Sequence, residues 1–420
     1  MKKKLTIVWI FTGVILFGMF DLALSAEVGP WLQISDIPHT QSHPGLAYNP
    51  STNQFFVVWQ DLRGIGWGDV YAQLVDSNGA IAGANFPISV ADDADDWLLN
   101  PKPAYNSATN QYLVVWEELR NATDDIYGQQ VNANGSLSGA EIVISTAAND
   151  QRNPDIVYNS STNQFLVVFN DDRLTQYEYD IYGVLVNANG TLSGVDFPVS
   201  IASQSQLFPV VAYDAADNRY LVVWWDKRNP ATSGDIYGRF VSANGAMAGT
   251  EFAISVSNAD QTYPDIAYAS TLNQFLVVWT HDSDIYGRLV KADQTFAGPE
   301  FLIATSSGYL SDPAVSFGPS SNQFLVAWSD SYGWDDIYAR SVDANGEISQ
   351  PQFEIARGMG NYWYPDIAFD STANQFLVAW RHQACYAYDT YCETYYEIDI
   401  YGALCKVTDH YKIYLPMIVK

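Results

Sequence analysis

Basic residues are scarce in this chain: 20 lysines and arginines stand against 47 aspartates and glutamates, a formal charge of −27. Nucleic acid is held by clustered Lys and Arg on phosphates, so a charge this negative disfavours it, and no nucleic-acid partner is expected. Cysteine is nearly absent, at three residues, and those three lack the paired spacing of a thiolate metal site. Helical periodicity is missing throughout. Beyond Ala26 no apolar run is long enough to cross a bilayer, so no membrane span is expected after the leader. Several short signatures are missing as well, among them Gly-x-Ser-x-Gly, His-Glu-x-x-His and the Gly-His…Trp-Asp repeat phrase.

What the chain has in abundance is one repeated sentence. A proline-led apolar strand is followed by Asn-Gln-aromatic-Leu-Val-Val-Trp, then Asp-Ile-Tyr-Gly, then an Asn-Gly turn. The Asn of the second phrase stands at Asn53, Asn110, Asn163, Asn218, Asn273, Asn322 and Asn374. The tyrosine of the third stands at Tyr71, Tyr127, Tyr182, Tyr237, Tyr286, Tyr338 and Tyr401. A continuous period of about 50–57 residues marks an architecture whose units bury their faces only against neighbours.

The fifth copy shows the unit. Pro264–Tyr268 reads as a strand opened by a residue that cannot donate to a ladder. Phe275–Trp279 is a second strand, Asp284–Val290 a third and Glu300–Ile303 a fourth. In the second strand Phe275, Val277 and Trp279 point one way and Leu276 and Val278 the other, so both faces are apolar. Four-stranded sheets stacked around an axis bury both faces of their middle strands, and seven copies predict a seven-bladed, all-β propeller of antiparallel blades. Asn134-Gly135, Asn189-Gly190, Asn244-Gly245 and Asn345-Gly346 suit tight hairpins between strands three and four. The seventh copy stops after Ala403–Val407 without its fourth-strand phrase, and Pro30–Ser35 looks like that missing phrase. The first strand is therefore expected to complete the last blade and leave no free edge.

Met1-Lys2-Lys3-Lys4, the apolar run from Leu5 to Phe20 and the small residues Ala23–Ala26 read as a signal peptide. The expected organisation is residues 1–26 as signal, 27–407 as propeller and 408–420 as a C-terminal tail. Export places the protein outside the cell or on its surface and permits a disulfide, for which Cys385 and Cys392 are the expected pair, with Cys405 buried and free. The phrases Val57-Val58-Trp59-Gln60-Asp61-Leu62-Arg63 and Asp235-Ile236-Tyr237-Gly238 resemble those of secreted bacterial β-propeller repeat proteins. That resemblance covers nearly all of the mature chain and implies the fold, with no shared activity to transfer.

Chemistry is expected on one face. In a four-stranded meander the loop between strands two and three and the link to the next blade emerge together, and here both are long and variable. Loops on a rigid scaffold carry binding residues. Three sets stand out there. Asp155, Asp265 and Asp366 each follow the proline of an inner strand, with Lys102 at the same place in the second copy; as oxygen ligands the three acids are a possible calcium site. The recurring Asp61/Arg63, Glu118/Arg120, Asp171/Arg173 and Asp226/Arg228 are expected as ion pairs between blades. The residues that break the pattern are Trp67, Trp97, Trp334, Trp363, Tyr386, Tyr388 and Tyr391, with His281, His382, Glu393 and Glu397. Aromatics beside acids make a platform for sugar. The expectation is a monomeric, non-catalytic binding protein for a glycan, a cell-wall component or a protein; the alternative is a carbohydrate-active hydrolase or lyase with acids at the channel mouth.

Overall fold

The structure, a computed structural model, describes residues 26–64, 68–90, 97–120, 122–331, 335–348, 350–358, 360–384 and 398–407. Its sheets are seven antiparallel meanders arranged as the blades of a propeller. The inner strands of blades one to seven are Gln41–Asn49, Trp97–Asn106, Gln151–Asn159, Gln206–Asp214, Gln261–Ala269, Leu310–Gly318 and Gly360–Asp370. Blade four is typical, with Arg219–Asp226, Asp235–Ser242 and Phe252–Ser255 following outward from its inner strand.

The two apolar faces of each second strand go where alternation sends them. Phe275, Val277 and Trp279 pack with Leu221 and Val223 of blade four. Leu276 and Val278 pack with Phe324, Val326 and Trp328 of blade six. The same division repeats around the ring, so the core consists of seven apolar seams rather than one central mass. A tryptophan is fully buried at the same place in six blades, at Trp59, Trp116, Trp224, Trp279, Trp328 and Trp380, and Phe169 takes the place in blade three.

The conserved-looking asparagines earn their recurrence in the turn from first to second strand. Asn53, Asn110, Asn163, Asn218, Asn273, Asn322 and Asn374 all sit in the left-handed region, with φ between 49° and 58°, where Asn is tolerated far better than most residues. Their carboxamides also tie blades together: Asn49 donates to Asn110 at 2.9 Å, Asn106 to Asn163 at 3.2 Å and Asn159 to Asn218 at 3.0 Å.

The ring closes as the sequence predicts. In blade seven Gly360–Asp370, Gln375–Ala384 and Ile398–Lys406 come from the end of the chain, and Glu27–Val28 and Leu32–Gln33 pair with the last of them. Leu32 lies opposite Gly402 and Gln33 opposite Tyr401. In blade four Phe252 lies opposite Gly238 and Ala253 opposite Tyr237, so the N-terminal segment keeps the register of an ordinary fourth strand. Ile34 then enters the seam between blades seven and one, 3% exposed.

Candidate functional site

Every inner strand is interrupted at one place. Its pairing with the second strand shifts register between Ser42 and Gly45, Leu99 and Lys102, Arg152 and Asp155, Leu207 and Val210, Thr262 and Asp265, Ser311 and Ala314, and Trp363 and Asp366. Each irregularity is a bulge built on a residue followed by proline. The proline has no N–H to leave unpaired, and the residue before it turns left-handed. Those residues are His43, Asn100, Asn153, Phe208, Tyr263, Asp312 and Tyr364, with φ between 50° and 54°. A left-handed residue at a bulge leaves the pleat of its sheet, and here all seven line a central cavity together with their prolines.

That cavity has a volume of about 370 Å³ and opens where the inner strands begin, on the face of the long loops. Its mouth is a ring of seven positions filled by five kinds of residue. Phe208, Tyr263, Tyr364 and His43 make an aromatic arc from blades four, five, seven and one. Phe208 and Tyr263 are in contact, with ring centroids 5.1 Å apart, and His43 stacks on Tyr364 at 4.3 Å. Asp312 of blade six stands in ring order between the two tyrosines. Asn100 and Asn153 supply a polar arc opposite, and the Asn100 amide donates to Asn153 at 3.2 Å.

The residue after each proline follows: Lys102, Asp155, Val210, Asp265, Ala314 and Asp366 also line the cavity, and Gly45 holds the same position in blade one. Gly45 is required by crowding, since a Cβ there would stand 2.7 Å from the Pro101 carbonyl oxygen of the next blade. The three aspartates are latches. Val211 N–H donates to Asp155 at 2.8 Å, Val315 N–H to Asp265 at 2.6 Å and Leu46 N–H to Asp366 at 2.7 Å, each from the following blade. Burial opposes the charge on Lys102, but Asp366, Asp155 and Asp265 outweigh it and hold the ammonium above its ordinary value. Burial pushes Asp155 up to about 6 and Asp265 up to about 7, with Lys102 pulling both the other way. Among the described residues, no three His, Cys, Asp or Glu side chains come together as a metal-holding group.

Burial sets the electrostatics of the mouth as well. Burial raises the Asp312 carboxyl above the usual carboxylate range, with Ser311 Oγ donating to it at 2.8 Å. Desolvation and the nearby Asp312 both raise Tyr263 and Tyr364. His43 falls to about 4 through burial, with Arg381 and Lys102 adding to the effect. Behind Asn100 and Asn153 lies Glu117, pushed up to about 7 by burial, although Asn153 N–H donates to it at 2.8 Å.

The expected ion pairs lie elsewhere than expected. Arg63, Arg120, Arg173 and Arg228 bond to Asp61, Glu118, Asp171 and Asp226 within their own blades, two residues away in sequence. Each guanidinium lies over the tyrosine of the same blade's Asp-Ile-Tyr-Gly phrase: 3.9 Å above Tyr71, 4.1 Å above Tyr127 and Tyr182, and 4.3 Å above Tyr237. Trp59, Trp116 and Trp224 donate their indole N–H to the same acids, at 2.8, 2.9 and 2.7 Å. The motif is therefore an internal clamp joining second and third strands, not a bridge between blades. In blades five and seven the acid is replaced by His281 and His382, and there the indole N–H of Trp279 and of Trp380 finds no partner.

Of the other sequence candidates, Trp97 begins the inner strand of blade two, 41% exposed, and Trp363 carries the Arg381 guanidinium 4.8 Å from its ring in blade seven. Trp67, Trp334, Tyr386, Tyr388, Tyr391, Glu393 and Glu397 lie outside the described residues, as do Cys385 and Cys392. Cys405 is buried and free. The mouth residues are not among the candidates that the sequence offered, which beside these prolines were the aspartates after them. The signal was two positions earlier: a slot filled by His, Asn, Asn, Phe, Tyr, Asp and Tyr, directly before a proline that every copy keeps.

No protein-family model matches the chain, and none of the curated proteins matches it. Solved structures share its fold. A protein of unknown function from Dyadobacter fermentans superposes with a TM-score of 0.52 at 11% identity, over 91% of this chain and 99% of that one. The propeller domain of the Trilobed protease from Pyrococcus furiosus gives 0.51 at 10% identity, over 91% and 98%. A Hadza microbial sialidase, Hz136, gives 0.50 at 11% identity, over 81% and 73%. This chain is thus a seven-bladed β-propeller. The Pyrococcus domain is described as having an open velcro topology, whereas here the N-terminal strands pair with the last blade.

Proposed function

We propose that the protein is an exported, non-catalytic propeller that binds the end of a glycan in the cavity at its long-loop face. The observation that carries this reading is the division of the mouth into an aromatic arc and a polar arc around about 370 Å³. A sugar ring has a C–H face that lies against aromatics and a hydroxyl edge that exchanges hydrogen bonds with carboxamides and acids. Rigidity adds to it, since seven proline bulges hold the mouth residues and little conformational entropy is lost on binding. The basic start and apolar run of residues 1–26 support export to the outside or the cell surface.

A hydrolase reading draws on Glu117, whose buried carboxyl, held up to about 7, has the protonation of a general acid. It is the weaker reading. Glycoside cleavage needs a second carboxylate within about 5–10 Å, free to act. Asp155, Asp265 and Asp366 each spend an oxygen on a neighbouring blade's amide, and Glu117 on Asn153.

The test is a glycan array on the mature chain, with the Tyr263→Ala/Tyr364→Ala double variant as control. Binding by the native chain and its loss in a variant of unchanged melting temperature supports the reading. Silence across the array, or undiminished binding by the variant, overturns it; turnover of a polysaccharide would favour the hydrolase.

A further inference from the structure

The aromatic arc is not uniform, and its one acid is placed unlike any other in the ring. Going around the mouth, the order is Phe208, Tyr263, Asp312, Tyr364, His43, so the carboxylate is flanked by a tyrosine on each side. The charge of Asp312 acts on both phenols and raises each of them. Tyr263 is 40% exposed at the rim, so a ligand reaches the ring face without displacing the core. The other cations nearby are already engaged. Lys102 lies among Asp366, Asp155 and Asp265, and Arg381 lies over Trp363. Among the described residues Asp312 forms no ion pair, and Ser311 Oγ gives it a neutral hydrogen bond.

An acid that stands between two tyrosines in the ring of a partly buried cavity is an arrangement suited to an ammonium group. The ring quadrupoles attract the cation, the carboxylate completes its charge, and a neutral amide in the same place loses both. The overall charge of −27 raises the local concentration of cations and so favours their approach.

Resting on the glycan reading, we propose that the sugar bound at the mouth is an amino sugar with a free ammonium, which lies between Tyr263 and Tyr364 and donates to the Asp312 carboxylate. The pyranose ring then reaches toward Phe208, and its hydroxyls toward Asn100 and Asn153 across the cavity. The ligand class is a partly or fully deacetylated hexosamine polymer, read at its end.

Isothermal titration at pH 6 with three tetrasaccharides tests this: the glucosamine tetramer, its fully N-acetylated form, and the glucose tetramer of the same linkage. The glucosamine tetramer is expected to bind at least tenfold tighter than either neutral one. Asp312→Asn should remove that preference and leave the weak binding of the neutral tetramers within twofold. An Asp312→Asn melting temperature equal to that of the native chain guards against a folding effect at this position. Equal or tighter binding of a neutral tetramer overturns the amino sugar and leaves the glycan reading standing. Binding of none of the three overturns both. Spermidine binding more tightly than the glucosamine tetramer would overturn the sugar half and leave an ammonium site.

Discussion

Asp366 of the last blade accepts the main-chain N–H of Leu46 in the first at 2.7 Å, across the seam where the ring closes. The same bond links blade three to four and five to six, so the residue after the proline in alternate blades holds the inner strands at fixed spacing. Asp366→Ala removes the acceptor of a partly buried amide and one of the three charges that compensate Lys102. The expected cost is about 2–4 kcal/mol in urea denaturation. Asp366→Asn keeps an oxygen for Leu46 and should cost less than half as much. Equal losses would show that the charge, not the latch, matters.

The buried acids set a pH dependence with a definite sign. Asp265 titrates at about 7 against an ordinary 3.8, Asp155 at about 6, and Glu117 at about 7 against 4.5. Between those values the folded chain holds more protons than the unfolded chain, so the stability they contribute at low pH is lost as pH rises through 6–7. His43 and His382, both lowered to about 4 from 6.5 chiefly by burial, act in the opposite direction and remove stability as pH falls from 6.5 toward 4. The acids outnumber them. The melting temperature is expected to be higher at pH 5.5 than at pH 8, and Asp265→Asn, which preserves the Val315 latch, should shrink the difference. A native melting temperature that rises steadily from pH 5.5 to 8 would refute this account.

Closure depends on a short segment far away in sequence. Ile34 is 3% exposed in the seam between blades seven and one, and Trp31 packs edge-on against Tyr362 at 5.5 Å and Trp380 at 5.9 Å. Ile34→Ala should cost about 2–4 kcal/mol. Deleting residues 27–35 should do more than destabilise, because it bares the Ile398–Lys406 edge to other chains. Size-exclusion chromatography is expected to show oligomers of the deletion variant and none of the point variant.

The tryptophan clamp gives a comparison internal to the molecule. Trp224→Phe in blade four strips the Asp226 carboxylate of its indole donor, whereas Trp279→Phe in blade five removes an N–H that has no partner. Both residues are fully buried and lose the same volume. The blade-four variant is expected to lose about 1–2 kcal/mol more, measured by thermal or urea unfolding.

Much of this was legible before any coordinates. The period fixes the number of blades, because each copy has one strand apolar on both faces and such a strand must be covered twice. Phe275, Val277 and Trp279 went to one neighbour and Leu276 and Val278 to the other on alternation alone. Closure followed from a missing phrase at one end and a surplus phrase at the other. The ion pairs lie within blades because Arg63 stands two residues beyond Asp61, just past the strand that ends there, and spacing alone does not say whether its guanidinium turns back on its own blade or reaches the next.

The sequence by itself determined the local grammar of the protein: strand, turn, clamp and number of copies, since these depend on residues near one another in the chain. Only the tertiary structure decided where seven separate prolines meet. Asp312 lies about fifty residues from both Tyr263 and Tyr364, and nothing in a window of one repeat sets them side by side. The bulge before each proline turns those residues out of their sheets, and the circle of blades aims them at a common axis. A binding site made of one residue per repeat exists only once the ring has closed.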